Sequence, residues 1–254
     1  MTIVLVLVLG VLGGVITTVA GLGGGLVMVA VLSVVLDPVT ALSASAMGLV
    51  IGNLHRVWMY RTKLDWRSAL PVIVGAVPAA IVAGVLVAWL PEWLIFSLML
   101  MMGSLAVVRT FRKEPFRVPG WAGAPVGILL GTVSATTGGG GLVLAPWLIA
   151  RGLVDSAYIG TVGVVALCLH FARILGYGWS GGAADGTWLY GLLFALTLPL
   201  GNLLGDVLRK GMDLDRQRYV QLAVIAVLLV VAGYGFVQDV FIGDAATAVA
   251  GPVR

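Results

Sequence analysis

Cysteine is almost missing from this chain: Cys168 is the one example in 254 residues. An intrachain disulfide is therefore excluded, and so is a thiolate metal cage. Its neighbours Leu167 and Leu169 point to a buried, inert thiol. Histidine is nearly as scarce, with His55 and His170 alone. Charged residues make up 10% of the chain, where soluble domains carry about 25%. Apolar residues fill the space, at 60% of the total and a mean hydropathy of +1.10. A soluble core of this length cannot hide that much apolar surface. These shortages exclude a soluble enzyme, a nucleic-acid-binding domain and a disordered chain. They leave a polytopic membrane protein, and it is all-α, because the apolar segments lack the alternation of a barrel.

Charge-free runs mark the segments: Met1 to Leu36, Pro38 to Leu54, Ser68 to Pro91, Trp93 to Val108, Trp121 to Ala150, Ser156 to Leu169, Gly186 to Gly205 and Tyr219 to Gln238. That makes eight hydrophobic segments, against a need of about 20 residues per spanning helix. The opening run lacks a basic flank and is too long for a cleavable leader, so it is expected to stay in the membrane. Two segments are interrupted by glycine, at Gly21-Leu22-Gly23-Gly24-Gly25 and at Gly138-Gly139-Gly140-Gly141. Glycine runs do not hold a helix against their entropy cost. Each is expected to be a helix, an unwound elbow and a shorter second helix.

Thirteen of the fifteen basic residues lie in four linkers. Arg56, Arg61, Lys63 and Arg67 share one; Arg109, Arg112, Lys113 and Arg117 the next; Arg209, Lys210, Arg216 and Arg218 another; Arg151 stands in the fourth. The other linkers carry Asp37, Glu92 and Asp185, and the tail carries Asp239 and Asp244. The positive-inside rule places the basic linkers in the cytoplasm. Between the linkers of Arg112 and Arg151 the chain must then enter and return to one side, so the second broken segment is expected to be a hairpin. By analogy the first is too, which places both termini outside a plasma (inner) membrane. Trp66, Trp89, Trp93, Trp121, Trp179 and Trp188 fall at segment ends, as an aromatic belt does.

The halves repeat. Gly23-Gly24-Gly25-Leu26-Val27 matches Gly139-Gly140-Gly141-Leu142-Val143, Asp37 matches Asp155, and Pro78 with Gly84 matches Pro199 with Gly205. The offset drifts only from 116 to 121. One hairpin plus three crossings per half gives opposite orientations, and inverted repeats with discontinuous helices are a transporter architecture. The expected organisation is an N-terminal repeat over 1–110, a basic linker over 111–120, an inverted C-terminal repeat over 121–238 and a polar tail over 239–254.

At these residues the chain resembles the sulfite exporter TauE/SafE family. The resemblance covers nearly the whole chain: two four-segment halves, each opening with a glycine-rich break, here Ala20-Gly21-Leu22-Gly23-Gly24-Gly25 and Thr136-Thr137-Gly138-Gly139-Gly140-Gly141. It implies a membrane carrier or facilitator for a small sulfur-containing anion such as sulfite or an organosulfonate. It leaves substrate and direction open.

An anion inside a bilayer needs positive charge and donors in place of water. Helix N-termini offer free N–H groups and partial positive charge, which nominates Gly23, Gly24, Gly25, Gly139, Gly140 and Gly141 at the elbows. Thr17, Thr18, Ser134, Thr136 and Thr137 lie beside them with hydroxyl donors, unless those bond their own helix. His170 and Arg173 stand three apart and share a helix face, as do Asn53 and Arg56. His55 aligns with Arg173 across the repeat. A mid-membrane cation costs roughly 2.5–3.5 kcal/mol on insertion scales and so has a partner or a function. An Arg fork suits a tetrahedral oxyanion, although Arg56 could snorkel to its near interface. None of the eleven acids lies at a segment centre, so no carboxylate ion relay is visible. Asp206 beside Arg209 reads as an end-of-helix pair. No cofactor, metal site or nucleic-acid partner is expected, and a homo-oligomer is left open. A channel for a small ion or water is the competing reading. An intramembrane enzyme lacks a serine partner for His170 and lacks metal ligands.

Overall fold

The computed structural model describes residues 2–19, 24–111, 119–181 and 186–243. The expectations placed on Ala20 to Gly23, on the central linker 112–118, and on Asp185 and Asp244 lie outside the described residues. Ten helices follow in order: α1 (Thr2–Val19), α2 (Gly24–Val35), α3 (Pro38–Tyr60), α4 (Trp66–Val87), α5 (Glu92–Phe111), α6 (Gly123–Thr137), α7 (Gly141–Ala150), α8 (Asp155–Ser180), α9 (Thr187–Lys210) and α10 (Leu214–Val237). No strand occurs among the described residues. Five helices, α4, α5, α8, α9 and α10, are long and apolar enough to cross a membrane. Helix α3 has the length, at 23 residues, but carries Ser43, Ser45, Asn53, His55 and Arg56.

Two helices differ most from the charge-free runs. Helix α8 continues past Leu169 to Ser180 and α3 past Leu54 to Tyr60. The charge-free criterion ends each segment at its first ionisable side chain, His170 and His55. Arg173, however, is wholly buried, so it sits inside its helix bundle and breaks nothing.

Both glycine-interrupted segments fold back on themselves. Helix α6 ends at Gly138, whose φ of 77° is the left-handed value that glycine adopts without cost. Its N–H donates to the Ser134 carbonyl at 3.0 Å. Helix α7 then returns along α6, so that the Trp147 ring reaches Gly123 and Arg151 donates to the Gly120 carbonyl at 2.9 Å. The Trp147 indole N–H donates to the Ser68 carbonyl at 3.0 Å and anchors this hairpin on α4. In the first, α2 lies back along α1, with Met28 of α2 packed on Gly13 of α1. The first turn of α2 meets the tip of the second hairpin, Gly25 against Gly138.

The hairpin arms pack reciprocally. Helix α1 lies on α9 and α6 lies on α4, while α3 and α8 pair between them and α5 pairs with α10. Glycine makes both arm contacts close: Gly14 and Gly201 join α1 to α9, and Gly75, Gly127 and Gly131 join α4 to α6. A side chain at any of these would strike the partner backbone, which is how small residues let membrane helices associate. One apolar core surrounds Leu32, Leu42, Ile95, Met99 and Phe194; a second surrounds Val72, Leu130, Trp147 and Leu148. The outer surface stays apolar, with Val74, Val82, Leu196, Val207 and Val230 exposed, and Trp89, Trp121, Trp179 and Trp188 exposed at helix ends.

Candidate functional site

A cavity of about 350 Å³ opens at the end of the bundle that carries Arg61, Lys63, Arg151 and Lys210. It reaches inward to Thr17 and Thr18 at the end of α1 and to Gly141 at the start of α7. Its other walls are His55, Arg56, Met59 and Tyr60 of α3, Asp155, Tyr158, Ile159 and Val162 of α8, and Pro199, Asn202, Leu203, Asp206 and Arg209 of α9. Five helices and both hairpins therefore contribute to one space.

Asn202 is its hub. The amide oxygen accepts from the Thr18 hydroxyl at 3.0 Å, the Thr17 hydroxyl at 3.3 Å and Arg56 Nη2 at 3.4 Å. Three donors thus crowd an oxygen with two lone pairs. The Thr17 proton is also shared with the Gly14 carbonyl at 3.0 Å. Gly52 on α3 leaves room for the Asn202 amide, which lies 3.5 Å from where a Cβ would stand. The cavity wall is therefore rich in donors and poor in acceptors at this depth. At its mouth Asp206 pairs with Lys210 at 2.6 Å and with Arg209 at 3.5 Å.

Asp37 and Asp155, matched by the repeat, part ways. Asp37 caps α3 by accepting from the Thr40 N–H at 2.8 Å. At α8 the cap position falls to Val154, and Asp155 enters the first turn with φ at 49° and lines the cavity.

Beyond the tips lies a second cluster. Arg173 is wholly buried. Its Nε donates to the Tyr177 hydroxyl at 3.0 Å, Nη2 donates to the Leu42 carbonyl at 3.1 Å, and Nη1 lies 3.2 Å from His170 Nδ1. Tyr177 passes the link on, donating to the Ala135 carbonyl of α6 at 2.7 Å. None of the ion pairs among the described residues involves Arg173.

The sequence-nominated residues thus divide. Thr17, Thr18, His55, Arg56 and Gly141 come together around the cavity. Arg173 and His170 form the buried cluster and do not line it. Asn53 is buried on α3, its amide N–H donating to its own Leu49 carbonyl at 2.8 Å while Oδ1 is unpartnered. The hydroxyls of Thr136 and Thr137 bond their own helix, at Thr132 and Val133. Thr137 also accepts from the Gly139 N–H at 3.1 Å and so shapes the tip. Ser134 is buried in the last turn of α6. The Leu142 and Val143 N–H groups donate to the Gly139 and Gly140 carbonyls, so part of the α7 N-terminus is satisfied by the tip itself. Gly24 and Gly25 start α2, and Gly25 abuts Gly138 and does not line the cavity. Gly23 lies outside the described residues.

Asn202, Tyr177 and Arg109 were missed. Asn202 is a lone amide in an apolar helix, a signal of its own inside a membrane. Tyr177 stands four residues after Arg173, on the same face. Arg109 was counted with the basic linker, yet its Nη1 donates to the Leu142 carbonyl of α7 at 2.6 Å. No sequence signal reveals a carbonyl partner.

No curated protein and no solved structure matches the chain. The family model described as sulfite exporter TauE/SafE matches residues 6–235, a span that takes in both hairpins, the cavity and the Arg173 cluster. A match over that much of the chain, on an apolar all-helical bundle, means that this membrane protein belongs to the sulfite exporter TauE/SafE family of transporters.

Proposed function

We propose that the chain carries a small sulfur-containing oxyanion, of the sulfite or organosulfonate type, across a plasma membrane, and binds it in the cavity between the hairpin tips and α9. The observation that carries this reading is the convergence of Thr17, Thr18 and Arg56 on one amide oxygen of Asn202. An oxyanion brings further acceptors to donors that here share one oxygen, and charge-assisted bonds of this kind are roughly twice as strong as neutral ones. The binding set is Thr17, Thr18, Arg56 and Asn202, with His55 and Gly141 on the walls. The volume of about 350 Å³ sits at the small end of ligand pockets, which span roughly 300–1,000 Å³, and suits a small anion with a few waters.

Carriage is favoured over channel conduction because the cavity's lining reaches inward only to Thr17, Thr18 and Gly141, and neither Gly138 nor the Arg173 cluster is part of it. The two halves, 1–110 and 121–238, act as inverted copies; the reciprocal packing of α1 on α9 and α6 on α4 supports this. With the basic end in the cytoplasm, the cavity faces inward and both termini lie outside.

The test is sulfite uptake into proteoliposomes, with an organosulfonate panel and with sulfate and chloride as controls. Saturable flux with counterflow is expected for a sulfur anion, together with its loss in Asn202→Ala and Arg56→Gln. Equal flux of chloride without saturation, or wild-type flux in Arg56→Gln, would defeat the reading.

A further inference from the structure

The cavity leaves a wholly buried cation unused. Arg173 stands eleven residues beyond Val162 on α8, roughly 16 Å farther along the helix at 1.5 Å per residue. It is wholly buried, its three hydrogen-bonded nitrogens meet only neutral groups, and the ion pairs among the described residues leave it out. A buried cation without a counter-charge is costly in a membrane and is normally tied to function. A purely structural tie would be cheaper with a neutral side chain.

Its hold on Leu42 is also weak. That carbonyl lies within α3 and so already takes the helical N–H of Ala46. It takes the Ser45 hydroxyl at 2.8 Å and Arg173 Nη2 at 3.1 Å as well. Three donors again share two lone pairs, the same excess that marks Asn202 in the cavity. Next to Leu42, the Ser43 hydroxyl is buried with no partner. The cluster therefore has surplus donors and surplus positive charge. It lies beside the second tip, tied to it through the bond from Tyr177 to the Ala135 carbonyl.

We propose that Arg173, with His170 beside it, is a second oxyanion station on the far side of the tips, sealed in this conformation, where the Leu42 carbonyl holds the guanidinium that the passing anion takes over. This rests on the transport reading above. When the tips part, the anion exchanges Asn202, Thr18 and Arg56 for Arg173, and the guanidinium exchanges Leu42 for the anion. No bond other than hydrogen bonds is made or broken.

The experiment compares Arg173→Gln, Arg173→Lys and Tyr177→Phe in two assays: sulfite flux in proteoliposomes, and equilibrium sulfite binding to purified protein, which reads the open cavity. Arg173→Gln should lower flux by roughly a hundredfold while binding stays within about twofold of wild type. Arg173→Lys keeps the charge without the fork and should recover about a tenth of the flux. Tyr177→Phe cuts the tie to Ala135 but keeps the charge, and should retain at least about a third of the flux. A merely structural clasp gives a different pattern, with Tyr177→Phe as inactive as Arg173→Gln, and that result would overturn the proposal. So would wild-type flux in Arg173→Gln. If the Gln variant does not fold, the Lys variant decides: lowered flux at unchanged binding supports the station, and wild-type flux sinks it. A wild-type protein that neither binds nor moves sulfite or a sulfonate would instead bring down the transport reading itself.

Discussion

Gly201→Ala should loosen the joint on which Asn202 is mounted. A Cβ at Gly201 would lie 2.1 Å from the Val11 carbonyl oxygen and 2.9 Å from the Gly14 Cα. Both are backbone atoms, so no side chain can swing aside. Helix α9 must withdraw from α1 by about 1 Å, and overpacking of this kind costs roughly 1–3 kcal/mol. Helix propensity returns about 0.5–1 kcal/mol of that. A net loss near 1–2 kcal/mol lowers Tm by about 2–8 °C for a chain of this size. The retreat also pulls Asn202 away from Thr18, now at 3.0 Å, so sulfite affinity should fall with the Tm. Gly233→Ala is the control, because nothing lies within 4 Å of its Cβ position. It should be neutral, or stabilising by up to about 1 kcal/mol. Thermal unfolding in detergent, read by tryptophan fluorescence, measures both. An unchanged Tm in Gly201→Ala, or an equal drop in Gly233→Ala, would refute the argument that backbone approach holds α1 against α9.

Two more perturbations have worked signs. Gly138→Ala forces an L side chain into a φ of 77° and a Cβ to within 2.8 Å of Val29 Cγ2; the left-handed strain alone costs roughly 1–2 kcal/mol, and thermal unfolding should show at least that loss. Asp206→Asn removes the carboxylate that pairs with Arg209 and Lys210 at the cavity mouth; anion affinity should rise by about two- to fivefold at low salt, the gain should vanish at high ionic strength, and a salt-independent change in sulfite binding would contradict an electrostatic role.

The sequence made the hairpins legible because their causes are local. Glycine runs end helices, and basic linkers on both sides of one segment demand a return to the same side. The same locality exposed His170 with Arg173, since three residues make nearly one turn. What stayed hidden depends on partners distant in the chain. Asn202 meets Thr17 and Thr18 across 184 to 185 residues, and the repeat offset gives it no polar counterpart, since 121 residues earlier stands Ile81. The fate of each threonine was equally hidden. Thr18 faces Asn202 while Thr136 and Thr137 turn back on their helix, and identity alone does not distinguish the two. The Arg173 cluster ends on the carbonyls of Leu42 and Ala135, and carbonyl acceptors have no signature in a sequence.

The two arginine clusters differ in register, and this bears on how the proposed carrier can move an anion. Arg56 aligns with Ile174 across the repeat, and Arg173 aligns with His55. These two guanidinium groups come one from each half, at different registers. Staggered, each can be balanced by neutral acceptors of its own: Asn202 for Arg56, and Leu42, His170 and Tyr177 for Arg173. Neutral acceptors satisfy geometry without cancelling charge. A carboxylate in either place would stabilise the resting protein and compete with the substrate. The lack of acids at segment centres suits the proposed site: an anion can displace an amide or a carbonyl from arginine at modest cost, whereas a buried ion pair would hold the guanidinium against it.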